Sequence, residues 1–407
     1  LQDWLMAYRP AELFDSAGRA VAAVRRVLAA PRRSRPPAPE SPRGCVDVCA
    51  NVGAAAAGTD FSNAVTGVLR RQAAGGGFRL FSPDELASNR IALPDHEGRT
   101  SAWAIEVLNE EICHAWAQGY TETGRRTVVA TYEAFAPIAS SLIAQHLKYR
   151  RLARRTGRPA MPSIVYLITS LGWNNSYTHQ NPGLVSAVLA LEDPSVHVLT
   201  PADAPRTAAS LAFALRKLDC CTLIVAGKHS VPEHPQDALP DELRHGLAIW
   251  PHLSDTGAPD LVLAAAGDLP VREMAAAVHL VRTQLPNARL RFVAIHDLTA
   301  LGDPQTWQLG LPADRFGAVF GTSTPVLVAV PFFRDTVRSL LWSRPNPDRF
   351  TAVGYVDPGR PASPAQLLHQ CGMDSASLAH RALALLRAAQ GTSWKGEQPC
   401  TADPIAI

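Results

Sequence analysis

Hydrophobic positions along the chain fall into short, nearly unbroken runs separated by stretches of helical spacing. The runs at 127–132 (TVVATY), 163–170 (SIVYLITS), 196–200 (VHVLT) and 221–227 (CTLIVAG) are almost wholly apolar, as strands covered on both faces require. A shorter run at 78–81, FRLF, follows three glycines. Helical spacing fills 101–118, 135–155, 184–191 and 205–218. After a turn-rich stretch at 229–259 a second series begins, with strands predicted at 260–267, 289–298, 326–331 and 351–356 and helices at 271–285 and 375–389. Repeated strand–helix alternation predicts an α/β protein of two tandem doubly wound domains. Residues 1–30 read as helical, and the Pro- and Arg-rich stretch 31–44 as an extended linker, since proline removes the helix donor. The last residues, from 391, read as a loose tail. The implied division is 1–75, 76–250, 251–390 and 391–407.

Composition narrows the class. Of 407 residues 47% are apolar and only 18% charged, against roughly 25% charged in an average globular protein. Buried strands or a large buried interface account for such a balance. A net charge of +3 gives no basis for a nucleic-acid partner. No apolar run approaches the about 18 residues of a membrane-spanning helix, and the first residues carry no secretion signal. The chain opens on Leu1 rather than Met, as if a segment preceded it. Seven scattered cysteines fit neither a disulfide framework nor paired zinc knuckles, which points to a reduced, cytoplasmic compartment.

The polar chemistry gathers where predicted strands end. After FRLF comes Ser82-Pro83-Asp84-Glu85, a turn, and then Ser88-Asn89-Arg90, a trio suited to holding an anion such as phosphate. ATYEAF (130–135) closes the next strand, NNSYTHQNPG (174–183) follows SIVYLITS, and IVAGK ends in Lys228. In open α/β sheets, groups at the carboxyl ends of strands face the ligand crevice. Each motif alone also has an ordinary explanation: aromatic core for Tyr132 and Phe135, turn chemistry for the Asn-rich loop. Glu110 lies within the predicted helix 101–118, whose Ile105, Leu108, Ile112 and Ala115 mark one apolar face. Val107 and Cys113 stand on its other side, so the helix reads as buried and Glu110 as a paired or working carboxylate. The alternative is a solvated glutamate beside Glu106 and Glu111. The basic KYRRLARRTGR (148–158) reads as a solvated helix end, where cations favour the dipole. Neither of the common glycine-rich nucleotide fingerprints occurs, and no metal ligand set is apparent.

FRLFSPDELASNR, TGRR…ATYEAF, THQNPG and IVAGK, in this order, resemble the C-terminal half of phosphoketolases, thiamine diphosphate enzymes that cleave ketose phosphates. LQDWLMAYRPAELFD resembles the segment after that family's first domain, and LVLAAAGDLP and FTAVGYVDPG its third domain. The resemblance runs from residue 1 to about 390. It implies a pyrimidine-binding domain at 76–250 followed by a transketolase-like C-terminal domain at 251–390. The family's N-terminal domain, which grips the cofactor's diphosphate through Mg²⁺ with a G-D-G motif, has no counterpart here.

The resemblance also assigns roles. Glu110 falls on the glutamate that bonds the aminopyrimidine and promotes loss of the thiazolium proton. Phe135 falls on the residue stacked on the pyrimidine. Ser88, Arg90, Tyr132, Asn175 and Lys228 match phosphate-holding positions, Glu85 matches a substrate-binding position at the same site, and His179 matches a histidine beside the substrate hydroxyls. The implied reaction is cleavage of a ketose phosphate to an acetyl-cofactor intermediate that inorganic phosphate intercepts as acetyl phosphate. The chain looks like one half of a split enzyme, or a fragment of a longer chain; in the split case a separate subunit carries the diphosphate-binding domain and most of the Mg²⁺ ligands, and the simplest assembly is a heterotetramer. GWNNSYTH departs from the family, being shorter and having Asn174 where a histidine is expected. A transketolase-like two-carbon transferase with another acceptor is therefore the second reading, and a non-catalytic partner of a full-length homologue the third.

Overall fold

A computed structural model of the chain describes residues 2–7, 9–29, 60–84, 86–91 and 101–389. The expected linker 31–44, the expected tail 391–407 and the candidate Glu85 lie outside the described residues. The chain divides into two compact units, Leu1–Pro37 and Ala38–Ile407. In the first, the expected helical stretch is two short helices, α1 (Gln2–Ala7) and α2 (Ala22–Ala29). Between them Asp15 accepts the backbone N–H groups of Ala17 and Arg19 and closes a turn.

The second unit holds two sheets. The first consists of six parallel strands in the order β2-β1-β3-β4-β6-β5: β1 Phe78–Ser82, β2 Ala104–Glu106, β3 Arg126–Tyr132, β4 Ile164–Thr169, β5 Val196–Leu199 and β6 Cys221–Val225. Strands β4, β5 and β6 are buried throughout, which is why they read as unbroken apolar runs. The chain leaves β1 to build β2 on one side and β3 on the other, so the strand order reverses between β1 and β3.

The second sheet has the order β11-β10-β8-β9-β7. Its strands are β7 (Leu247–Ile249), β8 (Leu261–Ala266), β9 (Leu290–Ile295), β10 (Val326–Phe333) and β11 (Phe350–Tyr355); β7 alone is antiparallel to its neighbour. One apolar core runs from the first sheet, through Tyr166 and Trp173, to β8 and β10 of the second. The opposite face of the first sheet is covered by α3 (Phe61–Ala74) and by the helix Ala204–Ala214, through Val65, Leu69, Ala208 and Leu211. Among the described residues no helix is long and apolar enough to cross a membrane.

Two sequence expectations are corrected. Residues 101–109 are not helical: the short strand β2 lies there, and α4 (Glu110–Thr121) begins only after Asn109, whose side chain accepts the Ile112 N–H as N-cap at 2.8 Å. The expected apolar face is also turned the other way. Leu108 is 92% exposed and Ile112 40%, whereas Cys113, His114 and Ala117 are buried. The basic helix α5 (Ser140–Arg155) is not simply solvated either. Arg150 is buried and donates to Glu122 at 3.0 Å and, through Nε, to Asp219 at 3.0 Å. Its charge is neutralised inside, as burial requires.

Candidate active site and family

Parallel register brings the carboxyl ends of β1, β3, β4 and β6 to one edge, and ligands of open α/β sheets bind outside that edge where strand order reverses. Asp84 marks the spot. It follows β1 and accepts the backbone N–H of Tyr132, the last residue of β3, at 2.9 Å. Burial raises its carboxyl above the ordinary range, while Tyr132, Thr131, Lys228 and His179 work in the opposite direction. Asp84 thus has two of the sequence-predicted residues as electrostatic neighbours.

Lys228, just past β6, donates to the Ser88 carbonyl at 2.6 Å and lies 4.8 Å from the Tyr132 ring centroid. Arg90 reaches back to the Lys228 carbonyl at 3.0 Å. Ser88, Arg90, Tyr132 and Lys228 therefore form one cluster drawn from three strand ends. An ammonium has three donors, so the bond to Ser88 leaves capacity for an anion. Arg90 has φ +56° and Ser170, directly after β4, φ +50°. Such conformations are uncommon outside glycine and concentrate at functional sites. Asn89 is not part of an anion-facing trio: it is buried and accepts from Thr169 and Ser170.

The aromatic side of the site is continuous with this cluster. Tyr132 and Phe135 stack with centroids 6.3 Å apart, and His179 meets Phe135 edge-on at 5.3 Å. His179 Nδ1 lies 3.1 Å from Ser176 Oγ and 3.0 Å from Thr178 Oγ1. Asn175 is turned to the Ser170 carbonyl, and its own carbonyl accepts Gln180 Nε2 at 3.1 Å. Asn174 is exposed. Glu110 opens α4, partly exposed, and α4 packs on the turn Ala136–Ala139 that follows Phe135. Burial, with Glu110 and Asp84 as negative neighbours, pushes the Cys113 thiol up to about 12. Exposed apolar side chains surround this region: Leu108, Ile112, Trp116 and Ile138.

Sequence reasoning missed the carboxylates beneath the site. Glu133 is buried; its Oε2 accepts the Gly172 N–H at 2.7 Å and its Oε1 has no hydrogen-bond partner. Burial raises it to about 7, and Asp268 adds to the effect. Asp268, after β8, accepts the Gly227 N–H at 2.9 Å, and burial raises it to about 6. The two acids hold the backbone beside Trp173 and Lys228 in place. Asp268 also lines a small cleft with Asp203, Thr207, Gly227 and His229. No sequence signal pairs Glu133 with Gly172; only the Gly-Asp step after β8 could have drawn attention to Asp268.

Comparison with known proteins gives this geometry a family. The family model described as D-xylulose 5-phosphate/D-fructose 6-phosphate phosphoketolase matches residues 60–217, and that described as XFP C-terminal domain matches 235–401. The chain belongs to the phosphoketolase family. A probable phosphoketolase 2 from Rhizobium meliloti is 31% identical over 89% of this chain and 51% of its own length. A probable phosphoketolase from Mesorhizobium japonicum is 32% identical, over 92% and 51%. The chain thus spans about half the length of these phosphoketolases.

Among solved structures, a Pichia stipitis transketolase complexed with sedoheptulose 7-phosphate has a TM-score of 0.59 at 15% identity, covering 78% of this chain and 44% of the other. A split-gene transketolase, described as an inactive β4 tetramer, has a TM-score of 0.53 at 17% identity, covering 80% of this chain and 98% of the other. The two sheets of this phosphoketolase-family chain therefore have the fold of the transketolase pyrimidine and C-terminal domains.

Proposed function

We propose that this chain supplies the aminopyrimidine side of a thiamine diphosphate site in a phosphoketolase-like lyase, and that a partner subunit carrying the diphosphate-binding domain completes it. The observation that carries the reading is the meeting of Phe135, Tyr132 and the Lys228 cluster at one strand-order reversal, with Glu110 opening the helix that packs on the turn after Phe135. These residues fit the cofactor. Phe135 is half-buried beside Tyr132 and His179, a setting suited to a flat heterocycle, and Glu110 is a partly exposed carboxylate beside unpartnered apolar side chains. When bound, the cofactor supplies a nucleophilic carbon and an electron sink for C–C cleavage.

The chain's own residues do the rest. Glu110 holds a proton at a ring nitrogen of the aminopyrimidine, and Phe135 covers the ring. His179 orients substrate hydroxyls. Lys228, Arg90, Ser88, Tyr132 and Asn175 hold the phosphate of the substrate or the phosphate acceptor, and charge-assisted donors stabilise negative charge in the transition state. The substrate is a ketose phosphate and the product acetyl phosphate. Asn175 is occupied by Ser170, and Asn174 stands where the family has a histidine; both favour, as a second reading, transfer of the two-carbon unit to another acceptor.

Partner dependence rests on two supports. Leu108, Ile112 and Trp116 form an exposed apolar surface beside Glu110, and monomers rarely leave large apolar patches uncovered. The fold also matches a split-gene transketolase chain over 98% of that chain's length. Two copies of each subunit give a closed two-fold heterotetramer, with Mg²⁺ held mainly by the partner.

Lys228→Ala tests the anion site. Loss of a charge-assisted contact costs about 1.5–3 kcal/mol, so phosphate affinity of the assembled enzyme should fall about ten- to a hundredfold with cofactor binding unchanged. An unchanged phosphate requirement removes Lys228 from the site and favours another acceptor.

A further inference from the structure

The loop after β4 that carries Asn175 and His179 has a closed neck. Its two ends touch: a Cβ placed on Gly172 would lie 3.1 Å from Gln180 Cα and 3.3 Å from Glu133 Oε2. Glycine suits so close an approach. Compact loops with adjoining ends are frequently functional. Two groups hold this neck from opposite sides. Glu133, just past β3, is buried, and among the described residues its side chain has one hydrogen-bond partner, the Gly172 N–H at 2.7 Å. A carboxylate is costly to bury, and packing alone would be served by an apolar residue. Tyr355, the last residue of β11, holds the other end. Its O–H donates to Gln180 Oε1 at 3.3 Å, and Gln180 Nε2 donates in turn to the Asn175 carbonyl at 3.1 Å. Trp173 is seated between the two: its Nε1 donates to the Pro331 carbonyl of β10 at 3.0 Å, and its ring meets Tyr355 edge-on at 5.9 Å. His179 touches Phe135, but both polar partners of its Nδ1, Ser176 and Thr178, belong to the loop, so the neck sets where the imidazole stands.

We propose that Glu133 and Tyr355 are positioning residues that fix this loop from the two sheets and thereby place His179 and Asn175 against the hydroxyls and phosphate of a ketose phosphate. The assignment rests on the lyase reading above. Both residues act through the neck: Glu133 through the backbone of Gly172, Tyr355 through the side chain of Gln180. The second sheet thus takes part in substrate placement from outside the cluster around Lys228.

The test has two readouts. In the full chain, amide hydrogen exchange of the peptide 172–180 reports the loop alone, through the N–H groups of Asn174, Asn175 and His179, which are bonded locally. Glu133→Leu leaves the Gly172 N–H buried without an acceptor and should speed exchange about five- to a hundredfold. Glu133→Gln keeps an acceptor oxygen and should restore most of the protection. Tyr355→Phe keeps the ring against Trp173, removes only the hydroxyl and should speed exchange about two- to tenfold. In the assembled enzyme, with D-xylulose 5-phosphate as the probe, the variants should raise KM in the same order, with kcat lowered less. A role in folding alone would lower the melting temperature and leave KM unmoved. Native exchange in folded Glu133→Leu and Tyr355→Phe chains overturns the proposal. So does faster exchange with an unchanged KM, or a Glu133→Gln chain no better protected than Glu133→Leu. If Glu133→Leu does not fold, Tyr355→Phe decides: native exchange or a native KM overturns the proposal. If the native assembly has no lyase activity at all, the functional reading fails rather than the clamp, which the exchange data judge on their own.

Discussion

Glu110→Gln should lower turnover of the assembled enzyme by about 10²–10⁴-fold, the usual range for losing a positioned proton-transfer group. The fold should survive. The exchange is nearly isosteric, and the cap of α4 is Asn109, not Glu110. What the helix loses is a carboxylate in its first turn, worth about 0.3–1 kcal/mol. Glu111 remains beside it. The circular dichroism spectrum should therefore be unchanged, while exchange of the cofactor's C2 proton, followed by NMR, should slow sharply. Unaltered exchange in a folded variant removes Glu110 from its role, whatever happens to turnover.

The second large effect concerns the support of the cleft rather than its chemistry. Arg206 on α6 (Ala204–Ala214) has no exposed surface. It donates to Asp203 at 2.7 Å, to Glu242 at 2.8 and 3.1 Å and to the Pro235 carbonyl at 2.8 Å, and it lies 4.7 Å from the Trp250 ring centroid. Trp250 Nε1 also donates to Glu242, at 2.7 Å. Burial would raise the Glu242 carboxyl; His296 and Arg206 outweigh it and hold its pKa at about 2. Removing the guanidinium strands two buried carboxylates, which typically costs about 3–5 kcal/mol. Arg206→Ala should lose that much in chemical denaturation. Arg206→Lys should rescue little, since an ammonium cannot reproduce the planar fork. Adding Asp203→Asn and Glu242→Gln to the alanine variant should recover part of the loss. A cost of Arg206→Ala below about 1 kcal/mol would contradict this account of the network.

How much of this was legible in the sequence depends on distance along the chain. Strands β3 to β6 and β8 to β11 could be read because burial on both faces leaves the runs mostly apolar. The three-residue strands β2 and β7 carry no period of their own and were missed. The expected helix at 101–118 failed because apolar spacing continued through Leu108, which is solvent-exposed, and past Asn109, whose side chain starts the real helix. Helix α3 could have been found: Asp60 caps it by accepting the Asn63 N–H, and Phe61, Ala64, Val65, Val68 and Leu69 follow at helical spacing.

The candidate site was legible where motifs end strands, as at Tyr132 and Lys228. It was illegible where a side chain meets backbone far away in sequence. Asp84 on Tyr132, Glu133 on Gly172 and Asp268 on Gly227 are of this second kind, as is Arg150 between Glu122 and Asp219. His197 with Asp297 joins residues about a hundred positions apart, and no local pattern announces it.

The central claim is that this chain forms one side of a thiamine diphosphate site and needs the diphosphate-binding domain to complete it. Calorimetric titration of thiamine diphosphate with Mg²⁺ tests it most directly, run on the isolated chain and on its complex with a subunit carrying that domain. Weak or undetectable binding by the isolated chain, and tight Mg²⁺-dependent binding by the complex that weakens on Phe135→Ala, is the predicted result. Tight Mg²⁺-dependent binding by the isolated chain, or binding by the complex that is indifferent to Phe135→Ala, would contradict it.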